Sequence, residues 1–568
     1  MKPTQLQPDE KIDNAYSKWI LLIAISIGVG FLWYLLLYGR FPLYLSHVNW
    51  IYNAGGDVLQ HQLGWEWFRQ EPWRFPFGSI HAYGYPVGTS IAFMDSIPLL
   101  AIPFKLLSPW MEENFQYLGI WELGCVIAQM LTGMLILCEF TRSWVLKILG
   151  ASLLVLSPPM IFRAFYHSSL SAQWILLAAI WFILLEYRGK LWRGAWFVLF
   201  GVAMWVHIYF IPMLLPLWLI SLFFHYCQKP RKWLAAVDFL VVAAIILGMG
   251  YAIGIFSLEY HSLLISGFGL FSWNLNGFFN PFHFSSAYLK EMATGNSGQY
   301  EGFSYLGLGM LMLLPAAVYV FLQNEDVRRK WSFFLPFGLA ALVYTLFALS
   351  NKAFFGSHPL WDVDLPTWLM DFFNLFRVSG RFIWVVFYFL VLFIILSIIR
   401  NLRYPIPVLL LVVLFQFSDL HPLYAAKKLD DFSQYETPLQ SDFWQAAANT
   451  NRHIVMLPYK KLSISEEALA IYAVHNHLTL NRGYFARSDI QAMRAYGVKV
   501  WKDLQSHQAE RDTVYILTGD KEISFAQEKL AKEMYVCEID DFSVVFSAEN
   551  ELTHANVNLA DDCLVPTP

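Results

Sequence analysis

Charge is scarce in this chain. Of its 568 residues only 14% are Asp, Glu, Lys or Arg, while 57% are hydrophobic and 18% aromatic. With a mean hydropathy of +0.44, an ordinary soluble globular protein is excluded and a polytopic membrane protein is expected. A basic excess is also missing: 39 Lys and Arg against 43 Asp and Glu leave a net charge of −4, with a pI near 6.4. With no basic surface and no groove- or strand-reading signature, nucleic acid is set aside as a partner. Cysteine is rare, five in all. Cys125, Cys138 and Cys227 fall in or beside apolar segments as small buried hydrophobes, whereas Cys537 and Cys563 lie in a polar tail and could pair if it faces an oxidising compartment. The tail has no glycine-rich phosphate loop and no nucleophile elbow, and the chain shows no internal repeat of about 20–50 residues. Solenoid and inverted-repeat transporter architectures therefore lack support.

Long apolar runs, by contrast, recur along the chain. Stretches of about 17–25 residues, enough to span a bilayer, occur at Trp19–Tyr38, Phe115–Phe140, Trp144–Met160, Leu170–Leu185, Gly194–Tyr209, Ile211–Tyr226, Trp233–Phe256, Ser304–Leu322, Phe333–Ser350, Phe382–Ile399 and Pro405–Leu420. The run Gly194–Tyr226 is divided because one helix of that length would reach about 50 Å, beyond a hydrocarbon core of about 30 Å. His207, Pro212 and Pro216 mark the turn region. The fold class expected is thus an α-helical polytopic membrane protein with about eleven transmembrane helices and a C-terminal extracytoplasmic α/β domain.

Basic residues set the orientation. The turns carrying Arg142/Lys147, Arg188/Lys190/Arg193, Lys229/Arg231/Lys232, Arg328/Arg329/Lys330 and Arg400/Arg403 should be cytoplasmic. They alternate only if Ile91–Leu107, with Asp95, Pro98, Pro103 and Lys105, lies on the outer face as a juxtamembrane helix; a genuine crossing there is the alternative. On the first reading residues 1–18 are a cytoplasmic segment, 19–424 a transmembrane domain with an outer-face loop at 39–114, and 425–568 an extracytoplasmic domain. The polar stretch ending at Lys18 and the apolar run after it read as an uncleaved anchor. In the tail, β-like runs (His453–Leu457, Thr513–Thr518, Met534–Ile539, Ser543–Ser547) alternate with helix-like ones (Ser465–His475, Arg487–Tyr496, Phe525–Glu533), as in a small α/β domain.

The loop after the first span is the most polar part of the membrane region. Between Asn53 and Pro98 it gathers Asp57, His61, Glu66, Arg69, His81 and Asp95, a cluster suited to chemistry at a membrane surface. A first anchor, an acid within GGDVLQH, an apolar proline-containing segment at Tyr85–Leu107 and a second span ending in a basic turn together resemble the C-type membrane glycosyltransferases. These polytopic enzymes take sugar from a polyprenyl-linked donor. The runs GDVLQHQLGWEWFRQEPWRFPFG and FRVSGRF (Phe376–Phe382) are similar to those of an uncharacterised bacterial family of the same outline. The resemblance covers Trp19 to Leu420. It implies a polyprenyl-phosphate-linked sugar as donor, a glycan or lipid acceptor, contact with membrane lipid, and action at the outer face of a bacterial inner membrane. The sequence departs from the paired-acid metal motif, since no second acid adjoins Asp57.

Sugar transfer from a polyprenyl phosphate needs a base for the acceptor hydroxyl and cations for the departing phosphate. Asp57 and Asp95 are the catalytic candidates. Asp57 would place His61 one turn on along a helix, so the two could hold and orient a base or ligate one divalent cation, Mg or Mn; alternatively Asp57 caps the helix after Gly55-Gly56. Asp95 is a second acid facing the same cavity or a surface residue of an interfacial helix. Glu122, inside the second span, should face a cavity or a cationic neighbour. Arg377 and Arg381, spaced i,i+4, either fork onto one donor phosphate or snorkel to lipid headgroups. Arg163, His167 and His207 fall on the expected outer side as substrate contacts or hydrogen-bonded structural residues. Glu66 and Arg69, at i+3, are substrate-binding candidates that either pair with each other, the leading reading, or act chemically. His81 joins this polar set, and Trp65, Trp67, Trp73, Tyr83 and Tyr85 either stack on sugars or line the interface.

Three functions follow: an outer-face glycosyltransferase, which leads; a lipid or polysaccharide transporter, which would place charges within several spans; and a non-catalytic cell-envelope assembly protein with the tail as docking module.

Overall fold

A computed structural model describes residues 8–226, 233–258, 264–323, 331–429, 433–554 and 563–564. Cys227 and the basic turns at 229–232 and 328–330 lie outside the described residues. The chain is predominantly helical, with several apolar helices and a C-terminal sheet domain. Each apolar stretch contains a helix, but among the described residues only five are long and apolar enough to cross a membrane: Ser17–Tyr38, Leu118–Cys138, Ser168–Tyr187, Leu234–Ala252 and Ser379–Asn401. Six more are shorter: Trp144–Val155, Gly194–Val206, Phe210–Tyr226, Leu308–Gln323, Phe333–Leu349 and Pro405–Asp419. The expected count of about eleven crossings is therefore not reached by helices of spanning length.

Local chemistry shortens them. The stretch Trp144–Met160 stops at Val155 because Pro158 and Pro159, which lack the N–H a helix interior needs, restart the chain as Pro158–Arg163. Gly194–Tyr226 does divide in two, and the break falls at His207, whose backbone is extended (φ −165°, ψ 131°). Gly307, at φ 86°, holds back the start of Leu308–Gln323.

The stretch Ile91–Leu107 is not one helix. Asp95 and Ile97 sit at positive φ (53° and 50°), and only Pro98–Leu107 is helical. Ten residues reach about 15 Å, half of a hydrocarbon core.

By contacts the chain forms two compact units: Met1–Leu45, Tyr117–Leu247 and Leu264–Asp430 in one, Ser46–Gln116, Gly248–Leu263 and Asp431–Pro568 in the other. The loop after the first span thus belongs with the tail, whereas the sequence reading grouped it with the membrane helices. In this second unit a six-stranded mixed sheet runs, in spatial order, Cys563–Leu564, Met534–Ile539, Phe542–Ser547, Thr513–Leu517, His453–Leu457, Thr479–Leu480. Thr513–Leu517 and Thr479–Leu480 flank His453–Leu457 in parallel, while the remaining pairings are antiparallel. The two polar-tail cysteines, Cys537 and Cys563, face each other across adjacent strands and form a disulfide.

The loop docks on the edge strand Thr479–Leu480. Main-chain bonds Leu480 N–H to Ala82 O (2.9 Å) and Gly84 N–H to Leu480 O (2.8 Å) use edge groups that would otherwise be open. Tyr83, fully buried, stacks on Trp67 (centroids 5.2 Å) and meets the edge of Phe485.

Candidate functional site

In the loop–tail unit, Gly55 and Gly56 adopt positive φ and lead into the helix Gly56–Gln70. Gly55 is the N-cap, so Asp57 is not the capping residue; it sits in the first turn, where a negative charge complements the helix dipole. His61 follows one turn later on the same helix and is buried. Its Nδ1 bonds the main-chain oxygen of Asp95. A carbonyl only accepts, so Nδ1 carries the hydrogen and a neutral ring leaves the Nε2 lone pair available. Nε2 is buried with no hydrogen-bond partner among the described residues. Asp95 thus bonds His61 through its backbone, and its half-buried carboxylate also lies within 4.8 Å of a His61 ring nitrogen.

The second acid absent beside Asp57 in sequence comes from the tail. Glu467, at the start of Glu467–His475, accepts a hydrogen bond from the Gly56 N–H (Oε1, 3.0 Å). Burial raises its carboxyl above the ordinary range; the Gly56 N–H opposes that, and the charge of Asp57 adds to it.

Glu66 and Arg69 do not pair as expected. Glu66, buried, accepts from Tyr52 Oη (2.6 Å) and Gln62 Nε2 (2.8 Å) and faces His475 Nε2 at 3.9 Å. Arg69 instead bonds Ser108 Oγ (3.0 Å) and the carbonyls of Glu112 (3.0 Å) and Glu113 (2.6 Å). Both roles are architectural. His81 is exposed, and its main-chain N–H donates to Glu71 Oε1 (2.6 Å). With Tyr83 wholly inside, neither it nor Trp67 offers a free face to a sugar, and Tyr85 stacks on His453.

The helical unit holds a buried ionic cluster that only the fold assembles. Arg163 ends the short helix Pro158–Arg163 with no exposed surface, and its Nη2 bonds Glu301 Oε2 at 2.6 Å. Arg381 Nε and Nη2 reach the same oxygen at 3.1 and 2.9 Å. Gly380 and Gly302 permit this approach: a Cβ on Gly380 would lie 2.8 Å from Gly302 Cα, so the 3-10 turns Ser297–Gly302 and Ser379–Phe382 meet backbone to backbone. Burial would raise the Glu301 carboxyl, but Arg163 and Arg381 outweigh it and hold it well below the ordinary range. Arg163 Nε and Nη1 remain buried without hydrogen-bond partners among the described residues. Nearby, Glu122 accepts from Ser171 Oγ (3.1 Å) and the Phe165 N–H (3.4 Å). It forms no ion pair within hydrogen-bonding range among the described residues, contrary to a simple salt-bridge reading. Lys427, coupled electrostatically to Glu122 and Arg163, is brought down to about 8 by burial, with Arg163 adding to the effect and Glu122 opposing it.

Arg377 and Arg381 are not presented as a pair. Arg377 and Val378 lie outside regular structure and a 3-10 turn follows, with Val378 at ψ 66°, so spacing of four residues does not align the two arginines. Arg381 turns to Glu301, while Arg377 lies 5.8 Å from the Phe271 ring centre. His167 contributes electrostatically to Glu301, and His207 Nδ1 accepts from the Tyr209 N–H (3.1 Å). Sequence reasoning missed Glu301, Lys427 and Glu467. Glu301, an acid in an aromatic-rich segment just before an apolar run, carried a signal; Glu467, at the start of an apolar helical stretch, read as an ordinary first-turn acid.

Fold and site define a predominantly helical protein with several apolar helices, a sheet domain joined to an early loop, and a buried Arg–Glu–Arg cluster. Residues 27–421 match the family described as Domain of unknown function (DUF6311), and residues 443–547 match the DUF6311 C-terminal domain. The chain belongs to the DUF6311 family. Among curated proteins none matches it.

Proposed function

We propose that this protein is a multi-pass membrane glycosyltransferase that moves a sugar from a polyprenyl-phosphate donor to a glycan or lipid acceptor at the outer face of a bacterial inner membrane. The observation that carries the reading is Arg163: a guanidinium without exposed surface, 4.9 and 5.4 Å from the ring centres of Phe162 and Trp384, whose Nε and Nη1 have no hydrogen-bond partner among the described residues. Buried donors of that kind are costly unless a ligand meets them, and a planar guanidinium fits phosphate oxygens. Glu301 orients Arg163 and Arg381, and Lys427 adds a cation. Asp57 is the base for the acceptor hydroxyl, or with His61 Nε2 a ligand for Mg or Mn. The Cys537–Cys563 disulfide supports an oxidising compartment for the tail.

The test is transfer of labelled sugar from a polyprenyl-phosphate donor by purified protein. Asp57→Asn should fold normally and lose about 10²–10⁴-fold in rate, the usual loss for a general base. Arg163→Lys should weaken donor binding despite its retained charge. Full transfer by both variants would overturn the reading. One observation favours a second reading, transport of an anionic lipid-linked substrate: Glu122 is buried inside a helix of spanning length, where charge is costly and commonly functional. Movement of donor across a vesicle bilayer without sugar transfer would select it.

A further inference from the structure

A second feature of the helical unit lies at the other end of its helices. Five of them end around an apolar groove of about 510 Å³, within the range of sites that hold one organic ligand. Phe321, Phe337, Phe389 and Phe393 form its walls, in ring pairs Phe321–Phe393 (5.2 Å) and Phe337–Phe389 (5.5 Å). Gly338 lines it, and a Cβ built there meets nothing within 4 Å, so the glycine leaves the groove open. Arg188 and Arg400 stand at the mouth. Arg188 is tied to the carboxylate of Glu139, whereas Arg400, exposed, forms no ion pair among the described residues and leaves the mouth a net positive charge.

The dimensions match one lipid leaflet. From Phe389 to Arg400 the helix Ile383–Asn401 rises about 16 Å at 1.5 Å per residue, close to half of a hydrocarbon core of about 30 Å. Both arginines belong to turns that the distribution of basic residues assigns to a single side. Arg381, in the 3-10 turn Ser379–Phe382 that precedes this helix, lies about 29 Å from Arg400 at the helical rise, so the groove is distinct from the Arg163–Glu301–Arg381 cluster. We infer that the groove binds one anionic phospholipid of the surrounding membrane, its acyl chain between the phenylalanine rings and its phosphate at Arg400. An apolar slot one leaflet deep with a cation only at its mouth complements that amphiphile. A zwitterionic lipid lacks the net charge, and a long isoprenoid chain exceeds the depth.

The experiment is native mass spectrometry of the full-length protein in detergent with phosphatidylglycerol or phosphatidylcholine added. Wild type should retain phosphatidylglycerol about fivefold better, the increment expected of one arginine near a phosphate layer. Arg400→Gln, a change at an exposed position, should abolish that preference. Gly338→Leu, which fills the slot with a better helix former, should lower retention of both lipids severalfold at an unchanged melting temperature. Equal retention of the two lipids by wild type, an undiminished preference in Arg400→Gln, or displacement of phosphatidylglycerol by equimolar polyprenyl phosphate would overturn the inference.

Discussion

The main-chain N–H of Gly56 donates to Glu467 Oε1 at 3.0 Å, joining two residues more than four hundred positions apart. That bond sets a tail carboxylate beside the first turn occupied by Asp57, and the two acids interact unfavourably. Glu467→Gln keeps an acceptor for Gly56 and removes the repulsion, so its melting temperature should equal or exceed that of wild type near pH 7. Glu467→Ala leaves the N–H without its partner and should cost about 1–3 kcal/mol. Because the folded carboxyl is raised above its unfolded value, its contribution is fully present below the unfolded value of 4.5 and is lost as pH rises through the folded one. Thermal unfolding at pH 4 and pH 7 should show that loss in wild type and not in Glu467→Gln.

Glu301 pairs with two buried arginines at once. Glu301→Gln should destabilise the helical unit by about 3–5 kcal/mol, the usual cost of stranding a buried charge. Adding Arg163→Met should recover part of that loss, and denaturation of the single and double variants in detergent checks it. The folded carboxyl is depressed, so its contribution is present above the unfolded value of 4.5 and lost only as pH falls through its much lower folded value.

Lys105, 5% exposed, lies 4.0 Å from the Phe68 ring centre and 4.7 Å from that of Trp73. Burial lowers its ammonium from 10.5 to about 8, with Glu71 opposing and Arg74 assisting. In that interval the folded protein binds fewer protons than the unfolded chain, so stability should climb as pH rises from about 8 to 10.5. Lys105→Met should climb less, as read from melting temperatures at pH 7.5 and 10.

The Cys537–Cys563 bond closes a segment of 26 residues. Loop-closure entropy assigns such a crosslink about 3.5 kcal/mol. Cys563→Ser should lower the melting temperature of the tail, and adding a thiol reductant to wild type should produce the same fall.

Much was legible in the chain itself, because hydrophobicity and strand propensity are local quantities. A helix lies in every apolar stretch from Trp19 to Leu420, and His453–Leu457 and Met534–Ile539 are strands with the expected bounds. The break near His207 was visible for the same reason. Helix lengths were less legible, since Pro158-Pro159 and the left-handed Gly307 cut helices within runs that remain apolar throughout.

The charged groups divide differently. Asp57 and His61 share one helix face by spacing alone, and the sequence determined that. The pairing of Glu66 with Tyr52 and Gln62, the turning of Arg381 onto Glu301 and the placing of Glu467 beside Asp57 depend on contacts between distant segments. Local spacing says which side chains can meet along one helix. Which buried charge finds which partner is decided only when packing removes water and every ion must be compensated, and that choice belonged to the tertiary structure.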